Sequence, residues 1–545
     1  MSQETSTVGA PPVRLFTRQA TGLRREVSPR SSLIFNTFTA PTPFILAVAV
    51  FWILGVFPGA NLYIALAGGY AAGMVICFAI STVTTAIPRT GGDYVFVGRI
   101  LHPLVGIVSS FLYSAATLLS GAAIAYWAVT VALAPSLQVI GLISHGKTLL
   151  NWGTTLSTSH GWQFGIAAAF MLAAAVLAGV GWKWALRVQA VGFLLGTLGL
   201  IVAALVVLLD GGSTFVSSFN HFAAPITHQS DTYHQVIASG RKAGINLNPG
   251  SDFANTWPAF GAVMGFAIFS FYSTFIAGEV QQVRSWKTAG VMIGATLFNG
   301  VTCLVMTWIF FYGFGGHFFT AINAISGTHA YPFIAPPFYV FLASIASGSS
   351  IIAWFLGISI VATFFVLLWL QFVQPMRALF AYAFDGVLPL RIAYVWSRVR
   401  VPVVALAISL VIMLALLVWA VYGGNFFVVY ATGVLAVSTS LILMSLSVIV
   451  FARRRPELWR GSVANGRIGR VPITTVAGCA SMVLVIILAF LYLRYTGLGI
   501  TNVGAGLRNV GLIIVAAIVV FGVSSLVRAR QGIRLSQTTS EIPPE

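Results

Sequence analysis

The sequence predicts an all-α polytopic membrane protein with 12 transmembrane helices. Two observations predict it. Charged residues make up 7% of the 545 residues and hydrophobic residues 58%, whereas a soluble domain carries about 25% charged residues to cover its water-facing surface. The apolar residues also gather into twelve runs, each near the roughly 20 residues that cross a hydrocarbon core of about 30 Å.

Taken in order, residues 1–32 are polar and hold Arg14, Arg18, Arg24, Arg25 and Arg30 with no apolar core of signal-peptide length. They read as a cytoplasmic tail, and the first span serves as its own insertion signal. That span, 33–57, contains Thr39-Ala40-Pro41-Thr42-Pro43. Each proline lacks an N–H and disrupts the bond to the residue four back, so the helix is expected to break there. The freed backbone then lines a cavity, or the prolines make a kink packed against neighbours. Span 62–87 ends at Pro88 and the turn-forming pair Gly91-Gly92. Span 104–134 is long enough to be tilted or broken, and spans 162–180 and 188–209 are regular.

A polar outer loop, 210–256, carries His221, His228 and His234 at loose spacing and reads as solvated, with no metal site. Span 257–277 holds Phe269-Ser270-Phe271-Tyr272-Ser273-Thr274, an unusually polar centre. Its hydroxyls either bond a substrate or bond back to the helix, and the two phenylalanines face substrate or packing. Span 289–313 is regular. Span 337–373 is long, with its weak point at Ser347-Gly348-Ser349-Ser350 and polar Thr363 and Gln371. Spans 401–422 and 426–451 precede a basic loop, spans 473–493 and 509–527 follow it within residues 452–530, and residues 531–545 form a second cytoplasmic tail.

The formal charge of +18 raises the question of nucleic acid. Placement answers it. With both termini inside, 24 of the 29 Lys and Arg fall in seven cytoplasmic segments; only Lys147, Arg241, Lys242, Arg494 and Arg508 lie outside. This is the positive-inside bias of a multi-pass protein in a cell membrane. Arg453-Arg454-Arg455 and Arg460 directly follow a span, where they set topology and meet lipid headgroups. The lipid bilayer, not nucleic acid, is the expected partner.

Every Asp, Glu, Lys, Arg and His falls outside the spans as drawn, which leaves a neutral membrane core. Intramembrane charges mark proton relays and voltage sensors, and acid–base catalysis needs paired titratable groups. The pattern therefore argues against a pump, a voltage sensor or a membrane enzyme, and no catalytic residue is expected. It also disfavours a polyvalent cationic substrate, which would need a buried carboxylate. Cys77, Cys303 and Cys479 sit in separate apolar runs and offer neither a disulfide framework nor metal spacing.

Three stretches carry a family resemblance. Pro88-Arg89-Thr90-Gly91-Gly92-Asp93-Tyr94-Val95-Phe96-Val97-Gly98-Arg99 resembles the P-R-S/T-G-G-x-Y-x-x-x-x-R signature after the second helix of the amino acid–polyamine–organocation transporter superfamily. Ala277-Gly278-Glu279-Val280 with Arg284 resembles its E-V-x-x-P-x-R region, with Val283 in place of the proline. The stretch from Gln374 to Pro389, including Arg377-Ala378, Asp385-Gly386 and Leu388-Pro389, resembles its S-R-x-x-x-A-x-A-x-D-G-x-L-P region. The likeness spans at least residues 33 to 452.

The resemblance implies a five-plus-five inverted repeat of the leucine-transporter type plus two C-terminal helices. Residues 33–209 and 257–451 would be the repeats, with the first helix of each broken near the midplane. Substrate would then meet Thr39, Ala40, Pro41, Thr42 and Pro43 in the first helix. In the sixth it would meet Phe269, Ser270, Phe271, Tyr272, Ser273 and Thr274. The first span lacks the family's G-x-G-I string and the sixth lacks its usual glycine at the unwound turn. Some relatives carry a lysine in the fifth helix in place of a sodium ion. Here Gly196 falls near that position and Lys183 lies at the helix end, so lysine-based proton coupling is not expected. Coupling to Na+ or H+, plain exchange and uniport stay open, with Thr363 and Gln371 as ion-coupling candidates and no other cofactor.

Arg89, Asp93, Arg99, Glu279, Arg284, Arg377 and Asp385 sit at cytoplasmic helix ends that the resemblance brings together, and are expected to form an inner gate. The function implied is amino acid transport by alternating access, with neutral zwitterions fitting the neutral core best. The alternative is a non-transporting amino acid receptor or scaffold on the same fold.

Overall fold

The computed structural model describes residues 23, 25–423, 426–500, 502–531 and 535. Most of the N-terminal tail and nearly all of 531–545 lie outside the described residues. Among the described residues, twelve helices are long and apolar enough to cross a membrane. They are α1 (Pro29–Val56), α2 (Leu62–Ala86), α3 (Pro103–Ile143), α4 (His160–Gly179), α5 (Trp182–Leu209), α6 (Phe253–Phe275), α7 (Lys287–Phe314), α8 (Ser350–Phe384), α9 (Val403–Tyr422), α10 (Val428–Arg454), α11 (Ile473–Arg494) and α12 (Val503–Arg530). Helices α1, α2 and α6 are mostly buried inside the bundle. Exposed apolar side chains such as Val191, Leu205, Val411, Phe490 and Leu512 form the lipid-facing surface. The face at which α1 begins and α12 ends is termed the inner face.

Helix α1 breaks where the prolines stand. A first segment, Pro29–Thr37, starts on a Ser28 cap with Pro29 at its first position, where a missing N–H costs nothing. The chain resumes helix at Thr42 and passes through a π-helical stretch, Leu46–Val50. Asn299 of α7 spans the gap: its Nδ2 donates to the Thr37 carbonyl at 2.9 Å, and its Oδ1 accepts from the Thr42 hydroxyl at 3.3 Å.

Helix α6 unwinds without proline or glycine at the site. Regular helix stops at Ala267, and short 3-10 turns follow at Tyr272–Phe275 and Ala277–Glu279. Partners from other helices hold the opened chain. The Ser273 amide donates to Asn36 Oδ1 at 2.8 Å, and Asn36 Nδ2 donates to the Ser273 hydroxyl at 3.0 Å. The Thr274 and Thr84 hydroxyls lie 3.0 Å apart. Helix α2 comes close enough to support this because it is glycine there: a Cβ on Gly73 would stand 2.8 Å from the Ala267 carbonyl oxygen.

The run 337–373 divides at its expected weak point into two helices, Tyr339–Ser347 and α8, parted at Gly348 in the left-handed region (φ +57°). One expectation changes: the core is not neutral. The apolar run ends at 373, but after a turn at Gln371-Phe372 helix continues over Val373–Phe384 and carries Arg377 into the bundle, 2% exposed. Hydropathy misses this because Gln374, Pro375 and Arg377 interrupt the apolar run; a carboxylate from another element makes the burial of Arg377 possible. The outer loop holds two helices, Ser213–Thr227 and Thr232–Lys242, with His221, His228 and His234 exposed on them or beside them.

Candidate functional site

The two breaks face a cavity at the centre of the bundle. Thr39 from α1, Phe269 and Tyr272 from α6, Gln371 from α8, and Thr117 and Ser120 from α3 line it. Phe44, Trp127, Phe266 and Tyr430 roof it with aromatic contacts, including Phe266–Tyr430 at 5.1 Å and Phe44–Trp127 at 5.8 Å. The space left is about 30 Å³, room for a water or two, so a ligand enters only if these side chains move apart. No ionisable group other than tyrosine lines it. Thr117 and Ser120 went unnoticed in the sequence, although hydroxyls three apart share one helical face.

The remaining predicted residues divide. Pro41, Thr42 and Pro43 line a different crevice, about 280 Å³, between α1, α5 and α7, together with Gly196, Asn299 and Thr363. Ala40 is buried. Ser270 and Phe271 are buried below the cavity, with Phe271 packed on Tyr113 at 6.0 Å. Ser273 and Thr274 are engaged in holding the unwound turn. Of the two ion-coupling candidates, Gln371 faces the cavity, while the Thr363 hydroxyl donates to the Ser359 carbonyl at 2.9 Å. A Cβ on Gly196 would stand 2.8 Å from Thr363 Oγ1, so α5 and α8 are too close there for a long side chain.

Below the cavity lies an aromatic layer. Phe35 packs against Tyr272 at 5.8 Å, Trp182 at 5.9 Å and Trp369 at 6.2 Å. Beneath it, toward the inner face, sits a layer of buried charge. Arg377 grips Glu279 through Nε at 3.1 Å and Nη2 at 3.0 Å; Trp182 Nε1 donates to Glu279 Oε2 at 2.6 Å, and the guanidinium lies over the Trp182 ring. Arg99 pairs with Asp385, to which the Tyr94 hydroxyl also donates at 2.8 Å. Asp93 accepts from Ser109 at 2.9 Å. These five charged residues are each at most 2% exposed.

The glycine motif places them. Gly91 and Gly92 both have positive φ (+100° and +47°), and a Cβ on Gly92 would strike Phe275 at 2.6 Å. The Gly91 amide donates to the Phe275 carbonyl at 3.1 Å, and a short helix, Asp93–Ile100, starts directly afterwards. The N-terminal segment adds a backbone clasp: the Val27 amide donates to the Glu279 carbonyl at 3.0 Å, and the Gln281 amide donates to the Val27 carbonyl at 2.9 Å. Arg284 is exposed and stands apart from the layer. Arg89 is half-buried, with its guanidinium on the Pro88 carbonyl.

Twelve spans, two broken helices facing one cavity and a sealed inner face are the parts of a carrier. A family profile described as amino acid permease matches residues 31–524. The chain belongs to the amino acid permease family. No curated protein matches it. Among solved structures it is similar to MhsT, whose crystal structure is described as a complex with L-phenylalanine. The TM-score is 0.57 and the identity 15%, over 86% of this chain and 99% of that one. That likeness gives the fold: a leucine-transporter-type five-plus-five inverted repeat with two further helices. The permease is a multi-pass membrane transporter, not an enzyme, and amino acids are its substrates.

Proposed function

We propose that this permease moves neutral, zwitterionic amino acids by alternating access. The observation that carries the reading is the central cavity, which sits between two helix breaks and presents hydroxyls, an amide and aromatic rings but no charged side chain. A zwitterion suits such a site because broken helices supply both signs themselves. Helix N-termini favour the carboxylate, and carbonyls at C-terminal ends accept from the ammonium. A cationic side chain would find no carboxylate there. The aromatic and charged layers form the closed inner gate, and the positive-inside bias makes the inner face, with both termini, cytoplasmic.

Uptake of radiolabelled neutral, acidic and basic amino acids into proteoliposomes tests this. Neutral amino acids should compete with one another and dominate the panel. Preferred uptake of arginine or a diamine would overturn the substrate class. Tight binding without flux under any ion gradient would replace transport with a receptor role.

A further inference from the structure

Among the described residues, the buried charge layer does not balance. It holds three carboxylates and two guanidiniums: Glu279 takes Arg377 and Asp385 takes Arg99. Asp93, with no exposed surface, has no ion pair among the described residues. Its Oδ2 accepts one hydroxyl, from Ser109, which in turn contacts Ser440 of α10 at 2.9 Å. Its Oδ1 closes no hydrogen bond. The titratable groups facing it are the phenols of Tyr113 from α3 and Tyr382 from α8. An unpaired buried carboxylate is costly to keep ionised because it has left its water behind, and such a group takes a proton instead.

A second observation is independent of charge. Ser109 and Ser110, then Tyr113 and Ser114, then Thr117 and Ser120 recur at three- and four-residue spacing on α3, which puts them on one face. The column starts beside Asp93 and ends at Thr117 and Ser120 in the cavity lining. Ser110 Oγ and Tyr113 Oη, midway along it, are buried without a hydrogen-bond partner. Buried polar atoms left unmatched need an explanation, and a route for a proton supplies one.

We propose that Asp93 is the proton-binding site of the transport cycle, loaded from the substrate cavity along the α3 hydroxyl column, so that the permease carries a proton with its amino acid. The proposal rests on the transport reading above. The carboxylate takes one proton, delivered from the outer solution as hydronium through the cavity, and becomes a neutral acid while the inner gate is shut. Opening the gate admits water, the O–H bond breaks, and the proton leaves to the inner side. Burial favours the neutral form by pushing the Asp93 carboxyl from 3.8 to about 7, against the Ser109 hydroxyl, which pulls the other way. Near-neutral poise allows loading and release at physiological pH.

The test uses the full-length protein in liposomes with an entrapped pH dye, given a mixture of neutral L-amino acids. The wild type should admit protons as amino acids enter. Asp93→Asn should lose that proton entry and the accumulation driven by an inward proton gradient. In parallel, infrared difference spectra recorded from about pH 5 to about pH 9 bracket the expected value. They should show a protonated-carboxyl band that disappears through neutrality in the wild type and is missing from Asp93→Asn. If Asp93→Asn does not fold, Ser109→Ala serves: losing the donor to the charged form should shift the band's midpoint to higher pH. Proton entry persisting in Asp93→Asn, or no carboxyl titrating near neutrality, would overturn the proposal. A titrating Asp93 with amino acid flux but no proton movement overturns coupling alone. No amino acid flux under any gradient overturns the transport reading itself.

Discussion

Glu279 accepts two guanidinium bonds and an indole N–H while 1% exposed, so its loss leaves Arg377 buried and unpaired. Breaking a buried pair on one side costs about 3–5 kcal/mol. Glu279→Gln should therefore lower the melting temperature and raise labelling of cavity-facing cysteines from the inner face. Unchanged accessibility and unchanged uptake would show that the pair is not part of the gate. Asp93 behaves oppositely. A carboxyl whose value is higher in the folded protein binds its proton more tightly folded than unfolded. Its contribution is thus fully present below 3.8, is lost as pH climbs toward about 7, and is gone above. Asp93→Asn should flatten that part of the melting-temperature profile and melt above the wild type at alkaline pH. These two acids look alike in the sequence, since each sits in a motif at a helix end. Only the packed structure shows that one meets an arginine and the other does not.

The two broken helices were legible to different degrees. In α1 the cause is local: Pro41 and Pro43 remove donors from the helix, and the break falls at them. In α6 the cause is a residue 237 positions away, Asn36, which takes the amide that an intact helix would have used. No window of sequence around Ser273 contains that information. Asn299 plays the matching part for α1. Asn36→Ala and Asn299→Ala should each leave a buried backbone group unmatched, at a cost of about 1–3 kcal/mol, read as a lower melting temperature. Uptake should fall in both, since each asparagine fixes a break that lines or adjoins the cavity. Gly73→Val should be harsher: its Cβ would press on the Ala267 backbone, which cannot yield without displacing α6. Loss of uptake in a protein that still inserts and remains monodisperse would confirm it.

At the scale of the whole molecule, hydropathy alone traced the twelve spans, because lipid imposes the same length and composition on each. What it could not trace is what happens between spans: charge placed outside a lipid-facing segment is either solvated or sealed inside the bundle, and hydropathy is blind to the difference. Of the seven predicted gate residues, Asp93, Arg99, Glu279, Arg377 and Asp385 are drawn into one buried layer, while Arg284 stays in solvent. Of the predicted substrate residues, Thr39, Phe269 and Tyr272 line the central cavity, whereas its α3 hydroxyls, Thr117 and Ser120, belong to no motif. Because the layer is buried, it is screened little by salt. Gate closure should therefore be nearly independent of ionic strength, and cysteine accessibility from the inner face at low and high salt checks this.

The clasp of Val27 onto Glu279 and Gln281 has a practical reach. These backbone bonds join the N-terminal segment to the strand of chain that bears the gate carboxylate, so the gate cannot part there without unfastening them. A dye placed at Glu26, exposed beside the clasp, would report each opening as a change in its distance to a second dye on the inner face, one turnover at a time.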